Sequence, residues 1–89
     1  MAQSKGTKKK AHPVYSEEDE IYIKKMADRI TQLRKEANYT NYENFAFDHE
    51  INRVQYGKME KGVNFTIKSL LRIVRAHQIT LEEFFKGIA

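Results

Sequence analysis

Cysteine is absent from this 89-residue chain, so it can form neither a disulfide nor a thiolate metal site. This absence fits a reducing cytoplasm. Long hydrophobic runs are also lacking: the longest, such as residues 67–74, are broken by charge and are too short to span a membrane. No apolar stretch follows the N-terminal lysines, which argues against a secretory signal. We therefore expect a cytoplasmic protein with no membrane partner.

The residue groupings of common active sites are missing as well. There is no glycine-rich phosphate loop, and no serine or cysteine nucleophile stands with a base in a recognisable arrangement. His12, His49 and His77 show no metal-ligand spacing with one another or with carboxylates. The acidic run at residues 17–20 could suggest a catalytic cluster, but acids are typical of the first turn of a helix. The sequence predicts no enzyme activity, no metal, no cofactor and no small-molecule ligand.

Charge is unevenly placed along the chain. Residues 1–15 carry Lys5, Lys8, Lys9 and Lys10 without an acid, whereas residues 16–89 carry twelve Lys or Arg and twelve Asp or Glu. The first segment is polar and shows no hydrophobic period, which is typical of a flexible arm. A solvated tail without a function explains it equally well. We expect one folded domain over residues 16–89, preceded by a basic arm over residues 1–15.

Helix starts are easy to locate within residues 16–89. Ser16 can cap a first helix that ends near Asn38, a residue that tolerates a left-handed backbone. Four shorter helical segments follow, each preceded by Asn or Thr as its cap. They are Tyr42–His49, Arg53–Lys61, Ile67–His77 and Leu81–Lys86, with the caps Asn41, Asn52, Thr66 and Thr80. Nothing has the period of a strand, so the sequence predicts an all-α fold of five helices joined by short connections.

Apolar residues at helical spacing give the helices inward faces. The predicted inward residues are Ile23, Met26, Ala27, Ile30, Leu33 and Ala37 in the first helix, Phe45, Ala46 and His49 in the second, Ile67, Leu70, Leu71 and Val74 in the fourth, and Leu81, Phe84 and Phe85 in the fifth, with Ile88 as a further candidate. Three caps also follow an apolar residue that can pack on the residue five positions later: Ile51 on Tyr56, Phe65 on Leu70 and Ile79 on Phe84. Thr80 and Glu83 match a capping box.

The third helix has two unlike sides. Tyr56 and Met59 share one side, and the other side holds Arg53, Val54, Gly57, Lys58 and Lys61. If the aromatic side faces the core, the opposite side is bare. Arg and Lys suit guanine acceptors, Val54 suits a thymine methyl group, and the glycine could be a flat spot against a groove. An ordinary solvated face, with Gly57 easing a helix–helix contact, explains the same pattern.

Six segments carry a resemblance to a known family. They are Ile30–Glu36, Phe45–Ala46, Ile51–Arg53, Met59–Gly62, Ser69–Ile73 and Ile79–Phe85, in that order. Together they resemble the phage-repressor-type (xenobiotic-response-element) helix-turn-helix family and cover nearly all of the predicted domain. The resemblance implies a compact, lambda-repressor-like domain of five helices that binds double-stranded DNA through its third helix, and a role as a transcriptional repressor or regulator.

The resemblance also implies roles for single residues. The positions of the family's DNA-contacting residues are occupied here by Asn52, Arg53, Val54 and Lys58, and that of a frequent phosphate contact by Lys61. In proteins of this kind a salt bridge ties the first helix to the reading helix. We therefore expect Arg34 and Glu60 to lie in contact and largely screened from solvent.

The chain departs from the family pattern at three places. Tyr42 stands where the family usually has a glutamine that touches phosphate and braces the third helix; a tyrosine hydroxyl can still donate to phosphate. Glu50 stands where the turn usually has glycine, and it opposes DNA binding if it points at phosphate. The loop over residues 38–41 is one residue longer than the commonest form.

Two further segments are expected to take part in binding. Lys8, Lys9 and Lys10 of the arm can contact phosphates without a fixed fold and add affinity rather than base choice. Near the C-terminus, Phe84, Phe85 and Ile88 are candidates for the seam of a homodimer on DNA. These three residues can instead belong to the core. They can also form the surface of a protein-interaction module, such as an antitoxin-like partner that binds another chain through its fifth helix.

Overall fold

The computed structural model describes residues 16–63 and 66–88. Over these residues the chain forms five helices and no strand: α1 (Glu17–Glu36), α2 (Tyr42–Asp48), α3 (Arg53–Glu60), α4 (Ile67–Ala76) and α5 (Leu81–Lys86). The predicted all-α class and the five helices are confirmed. Within the described part, no helix combines the length and the apolar character needed to cross a membrane. The arm over residues 1–15 and the contact predicted for Phe65 lie outside the described residues.

Each helix begins at a side chain that supplies a hydrogen-bond partner to the first turn. The hydroxyl of Ser16 accepts from the backbone N–H of Asp19 at 3.2 Å, and the Asp19 carboxylate accepts from the Ser16 N–H at the same distance of 3.2 Å. The caps predicted for α2 to α5 are all present, and Thr80 forms the predicted capping box with Glu83. Removing such a cap typically lowers the free energy of unfolding by about 1 kcal/mol. Helix starts therefore favour a few residue types and can be located from the sequence.

Left-handed residues mark the helix ends. The angle φ is 71° at Asn38, as predicted, 56° at Glu50, 57° at Gln78 and 78° at Gly62. Helices α2, α3 and α4 end one residue earlier than predicted because the C-cap positions are taken by His49, Lys61 and His77. Among the described residues, Glu50 and Gln78 adopt this conformation with a long side chain, which costs roughly 1–2 kcal/mol relative to glycine, whereas the asparagine at position 38 tolerates it better.

Replacing Glu50 by glycine is expected to raise the free energy of unfolding by about 1 kcal/mol, because glycine adopts positive φ without a Cβ clash. The exposed Glu50 makes only backbone bonds among the described residues: its N–H donates to the Phe47 oxygen at 3.2 Å, and its oxygen accepts from Nη2 of Arg72 at 2.9 Å. Glycine keeps both. Urea denaturation measures the change. The control is Lys25→Gly in the interior of α1, whose free energy of unfolding should fall by about 1 kcal/mol. A destabilised Glu50→Gly variant would contradict the strain assigned to this turn.

All five helices contribute to one core. Its buried side chains are Ile30, Leu33, Phe45, Ala46, Tyr56, Met59, Leu70, Ile73, Val74 and Phe84. The central residues of the faces predicted for α1, α2 and α3 are among them. Ala37, predicted to face inward, is exposed because α1 ends at the residue before it.

Helix α4 is turned relative to its predicted face. Leu70, Ile73 and Val74 are buried, whereas Ile67 is 69% exposed and Leu71 is only half-buried. At 100° per residue, the buried arc is rotated by about 60° from the predicted one. The prediction for Ile67 is wrong because the apolar arc of this helix, from Ile73 round to Leu71, is wider than the part that the core covers. Ile67 lies toward the uncovered edge of that arc.

Helix α5 buries one side chain completely. Phe84 is 0% exposed, while Phe85 and Leu81, also predicted inward, are 43% and 41% exposed. The prediction that these two side chains face inward is wrong because a helix of six residues turns only one of its aromatic rings to the core. Arg29 of α1 fixes this orientation, since its Nε donates to the backbone oxygen of Phe84 and its Nη2 to that of Glu83, both at 3.1 Å.

Phe45 lies between two histidine rings in the core. The His77 ring is stacked on it, with centroids 4.9 Å apart and planes 15° from parallel, and the His49 ring is tilted against it at 4.4 Å. Nε2 of His77 is buried and has no hydrogen-bond partner among the described residues. Burial lowers the pKa of His77, and the charges of His49 and Arg29 lower it further. The fold therefore favours the neutral form of His77 over the protonated one.

We expect stability to fall as the pH drops below about 6.5, the ordinary pKa of histidine. In that range the unfolded chain binds a proton at His77 more readily than the folded protein does, so protons favour unfolding. His77→Phe keeps a ring on Phe45 but cannot titrate. Its free energy of unfolding, measured by denaturant titration, should fall less between neutral pH and about pH 5.5 than that of the wild type. Equal pH dependence of the two proteins would show that His77 is not the group responsible.

Candidate nucleic-acid interface

Helix α3 is anchored in the core by one side and is open on the other. Tyr56 and Met59 are fully buried, as predicted. The opposite side exposes four of the five residues predicted for it: Arg53, Val54, Lys58 and Lys61. This face therefore combines three cations with one apolar side chain, Val54, that is 57% exposed.

Gly57, the fifth residue of that face, is not open. It is buried against the ring of Tyr42 from the first turn of α2, and a Cβ at position 57 would lie 2.8 Å from Cε1 of that ring. The prediction of a bare glycine is wrong, because a neighbouring helix covers it. The structure instead has the close helix–helix contact that was the alternative. Tyr42 is itself 37% exposed, so its ring forms part of the outer surface next to α3.

The first turn of α2 also contacts the first residue of α3. Oε2 of Glu43 accepts from Nη1 of Arg53 at 3.4 Å, and the two side chains are 46% and 71% exposed. A pair so exposed contributes little stability, but it favours one direction of the guanidinium group. Sequence reasoning missed Glu43, since the two residues lie in different helices and no local pattern links them.

Polar side chains fix the start of α3 from two sides. Oδ1 of Asn52 accepts from the N–H of Gln55 at 3.0 Å, which leaves the amide nitrogen of this exposed cap as a donor toward solvent. Nε2 of Gln55 in turn donates to Oγ of Ser69 in the first turn of α4 at 2.5 Å. The bond from Arg72 to the Glu50 backbone oxygen holds the α2–α3 turn to the same helix. The Glu50 side chain is exposed in this turn.

A buried ion pair joins α1 to the end of α3. Nε and Nη2 of Arg34 donate to the two carboxylate oxygens of Glu60 at 2.7 and 3.0 Å, and the side chains are 8% and 10% exposed. The predicted contact is confirmed. Nη1 of Arg34 also donates to the backbone oxygen of Tyr39 at 2.8 Å, so one guanidinium group holds α1, α3 and the loop after α1. The hydrogen bonds to Glu60 raise the pKa of Arg34, which keeps it charged.

The hydroxyl of Tyr56 lies beside this pair. It is buried and has no hydrogen-bond partner of good geometry among the described residues. Burial, and after it the Glu60 carboxylate, raise the pKa of Tyr56 far above its ordinary value. The phenol therefore stays neutral beside the ion pair.

Charge is segregated within the folded part. Residues 53–76 carry six Lys or Arg and a single acid, Glu60, which is paired with Arg34. Residues 16–52 and 77–88 carry eleven acids and six cations. The outer surfaces of α3 and α4 are therefore cationic although the folded part as a whole is neutral, and a cationic face of this kind favours polyanions.

The remaining predicted site residues fall into two groups. Lys8, Lys9 and Lys10 lie outside the described residues. Phe84 is fully buried in the core of its own chain, so its assignment to a dimer seam is wrong; Phe85 is exposed and Ile88 half-buried.

In the described ranges, no group of three or more His, Asp or Glu side chains could hold a metal ion.

No protein-family model, no curated protein and no solved structure matches this chain.

Proposed function

We propose that this protein binds double-stranded DNA sequence-specifically, as a transcriptional repressor or regulator, with α3 in the major groove. The observation that carries the proposal is the outer face of α3, where Arg53, Val54, Lys58 and Lys61 are exposed on a helix whose other side is fixed in the core. Two short helices joined by residues 49–52 are the arrangement that helix-turn-helix proteins use to place their second helix in DNA. A lambda-repressor-like fold is part of the proposal.

The exposed groups of α3 suit different features of a duplex. Arg53 and Lys58 can donate to O6 and N7 of guanine, and Val54 can cover the methyl group of thymine. We assign contacts with the DNA phosphates to three donors: Tyr42 at the start of α2, and Asn52 and Lys61 at the two ends of α3. Phosphate contacts of this kind fix the register of a protein on DNA, and the base contacts then select the sequence.

The buried ion pair supports this function by fixing the reading helix. Arg34 holds Glu60 at the last turn of α3, and Ser69 holds Gln55 at its first turn. A helix fixed at both ends loses little conformational freedom on binding, which leaves more of the contact energy for affinity.

A single domain of this size contacts too few base pairs to select one site specifically. Helix α3 has eight residues and is about 12 Å long, so it reaches only a few base pairs. We propose that two copies bind a near-palindromic site whose half-site centres are about 10 base pairs apart. In this proposal the arm lysines add phosphate contacts to each half-site.

Substitutions on α3 test the proposal. Arg53→Ala is expected to weaken binding to the selected site by about 1–3 kcal/mol and to relax base preference at one position. Lys61→Ala should instead weaken binding to all duplexes alike. It should also reduce the slope of log binding constant against log salt concentration, the salt slope, by about one unit in magnitude. The measurement is selection from a random duplex library, followed by titration of the selected site at several salt concentrations.

Lys25→Ala, an exposed lysine of α1, is the matched control and should change neither affinity nor base preference. If Arg53→Ala binds the selected site as tightly as the wild type, α3 does not read the bases. If the library yields no enriched sequence, the protein is not a sequence-specific DNA-binding protein.

A second function is favoured by α5. Leu81 and Phe85 are 41% and 43% exposed on this short helix, and such apolar groups can bind another protein. An antitoxin-like interaction module would bind its protein partner with little dependence on salt and would not enrich any duplex.

A further inference from the structure

The first turns of α2 and α3 lie against each other. Tyr42, the first residue of α2, packs its ring on Gly57 so closely that a Cβ there would lie only 2.8 Å from the ring. Glu43 follows Tyr42 in α2, and Arg53 follows Asn52, the cap of α3. The backbone positions of Glu43 and Arg53 are therefore set by contacts other than their own ion pair.

The pair of Arg53 with Glu43 uses one corner of the guanidinium group. Oε2 of Glu43 accepts from Nη1 of Arg53 at 3.4 Å, and no described residue accepts from its Nε or Nη2. In the buried pair of the same fold, Nε and Nη2 of Arg34 form the edge that donates to the two carboxylate oxygens of Glu60. The corresponding edge of Arg53 is open on a side chain that is 71% exposed. It can therefore donate to two acceptor atoms that lie side by side in one plane.

Guanine offers such a pair of acceptors. Its O6 and N7 atoms lie at the edge of the base in the major groove, and an arginine that donates to both is the commonest base-specific contact of proteins with DNA. We propose that Glu43 is a positioning residue that makes Arg53 selective for guanine. Glu43 occupies Nη1 of the guanidinium group and leaves the Nε–Nη2 edge for the base. The inference rests on the proposed function, since it requires α3 to lie in the major groove.

Phosphates compete with guanine for the same arginine. They line every duplex whatever its sequence, and a phosphate oxygen accepts from any nitrogen of a guanidinium group. An Arg53 side chain with all its nitrogens free can turn to the DNA backbone and add affinity without base choice. The Glu43 carboxylate opposes that turn in two ways. It holds Nη1, and its negative charge repels a phosphate that approaches the pair, which penalises the contacts that carry no sequence information.

Lys58 has no such partner. It is exposed on the same side of α3, and no described acid lies within salt-bridge distance of it. An ammonium group is also a compact charge whose donors rotate, so it has no fixed edge to present to a base. The preference for guanine should therefore be sharper at the base pair read by Arg53 than at the one read by Lys58.

A double-mutant cycle on DNA tests the inference. Selection from a random duplex library with the wild type and with Arg53→Ala locates the base pair that Arg53 reads. Duplexes with each base pair at this position are then titrated with the wild type, Glu43→Gln, Arg53→Ala and the double variant. Glu43→Gln should reduce the preference for guanine about threefold, as expected for the loss of an exposed ion pair. The double variant should show the same remaining preference as Arg53→Ala, because Glu43 acts through Arg53.

Three comparisons separate this role from a general effect of charge or folding. Glu50→Gln removes the same charge from an exposed residue of the α2–α3 turn and should leave the preference for guanine unchanged, whatever it does to overall affinity. The preference at the base pair read by Lys58, located with Lys58→Ala, should be equal in the wild type and in Glu43→Gln. The midpoint of urea denaturation should also be the same for these two proteins, because the Arg53–Glu43 pair is exposed.

The failure of this inference can be told apart from that of the proposed function. A Glu43→Gln variant that keeps the full preference of the wild type would overturn the inference. So would a loss of preference that is equally large in the Arg53→Ala background, or a Glu50→Gln variant that behaves like Glu43→Gln. In these cases the wild type still selects a sequence, and the proposed function stands. If the wild type enriches no sequence, or Arg53→Ala relaxes no position, the proposed reading of DNA by α3 fails and the inference fails with it.

Discussion

Replacing Arg34 by methionine is expected to lower the free energy of unfolding by roughly 3–5 kcal/mol. Methionine keeps much of the apolar stem but leaves the Glu60 carboxylate, which is 10% exposed, without either of its two donors. The backbone oxygen of Tyr39 loses its partner as well. Urea denaturation at neutral pH, with circular dichroism as the signal, measures the loss.

Two further variants separate the buried pair from a general effect of charge. Lys35→Met, at the exposed neighbouring position of α1, should change stability by no more than about 0.5 kcal/mol. The double variant Arg34→Met with Glu60→Leu should recover much of the loss, because it leaves no uncompensated charge. A loss below about 1 kcal/mol for Arg34→Met would mean that the pair behaves like one exposed to solvent.

Truncating Phe84 to alanine is expected to lower the free energy of unfolding by about 3–5 kcal/mol. The ring is fully buried, and the packed helices around it can close only part of the cavity. The measurement is denaturant titration of the purified variant.

The adjacent ring is the matched control. Phe85→Ala removes the same atoms from a side chain that is 43% exposed, and it also removes the edge-to-face contact with Phe84. We expect a loss of about 1 kcal/mol at most. If the two losses were reversed in size, Phe85 would be the core residue, and the orientation of α5 would differ from the one described.

The sequence predicted the helix starts well because a cap is a local feature. Asn52 and Thr66 each bond to a backbone N–H three residues away, so residue type and spacing are enough to place them. The inward side of α3 could be predicted for a related reason. Its two large apolar residues, Tyr56 and Met59, share one side, and the cations Arg53, Lys58 and Lys61 share the other, so the pattern favours burial of the aromatic side.

The features that could not be predicted depend on contacts between distant segments. Gly57 is covered by Tyr42, fifteen residues earlier in the chain, and no periodicity within α3 reports that contact. The pairing of Arg53 with Glu43 has the same origin. The contact of Arg34 with Glu60 was predicted only through a resemblance to a family, because neither residue stands out in its own helix.

The separation of charge between the α3–α4 surface and the rest of the fold has a consequence for kinetics. Residues 53–76 carry six cations and one acid, whereas residues 16–52 and 77–88 carry eleven acids and six cations. We therefore expect the domain to have an electric dipole moment even though its folded part has no net charge. In the field of a polyanion such a molecule rotates its cationic side forward before contact, so a larger share of collisions begins in a productive orientation. The rate of encounter should therefore depend steeply on ionic strength, whereas the lifetime of the complex depends on the short-range contacts formed afterwards.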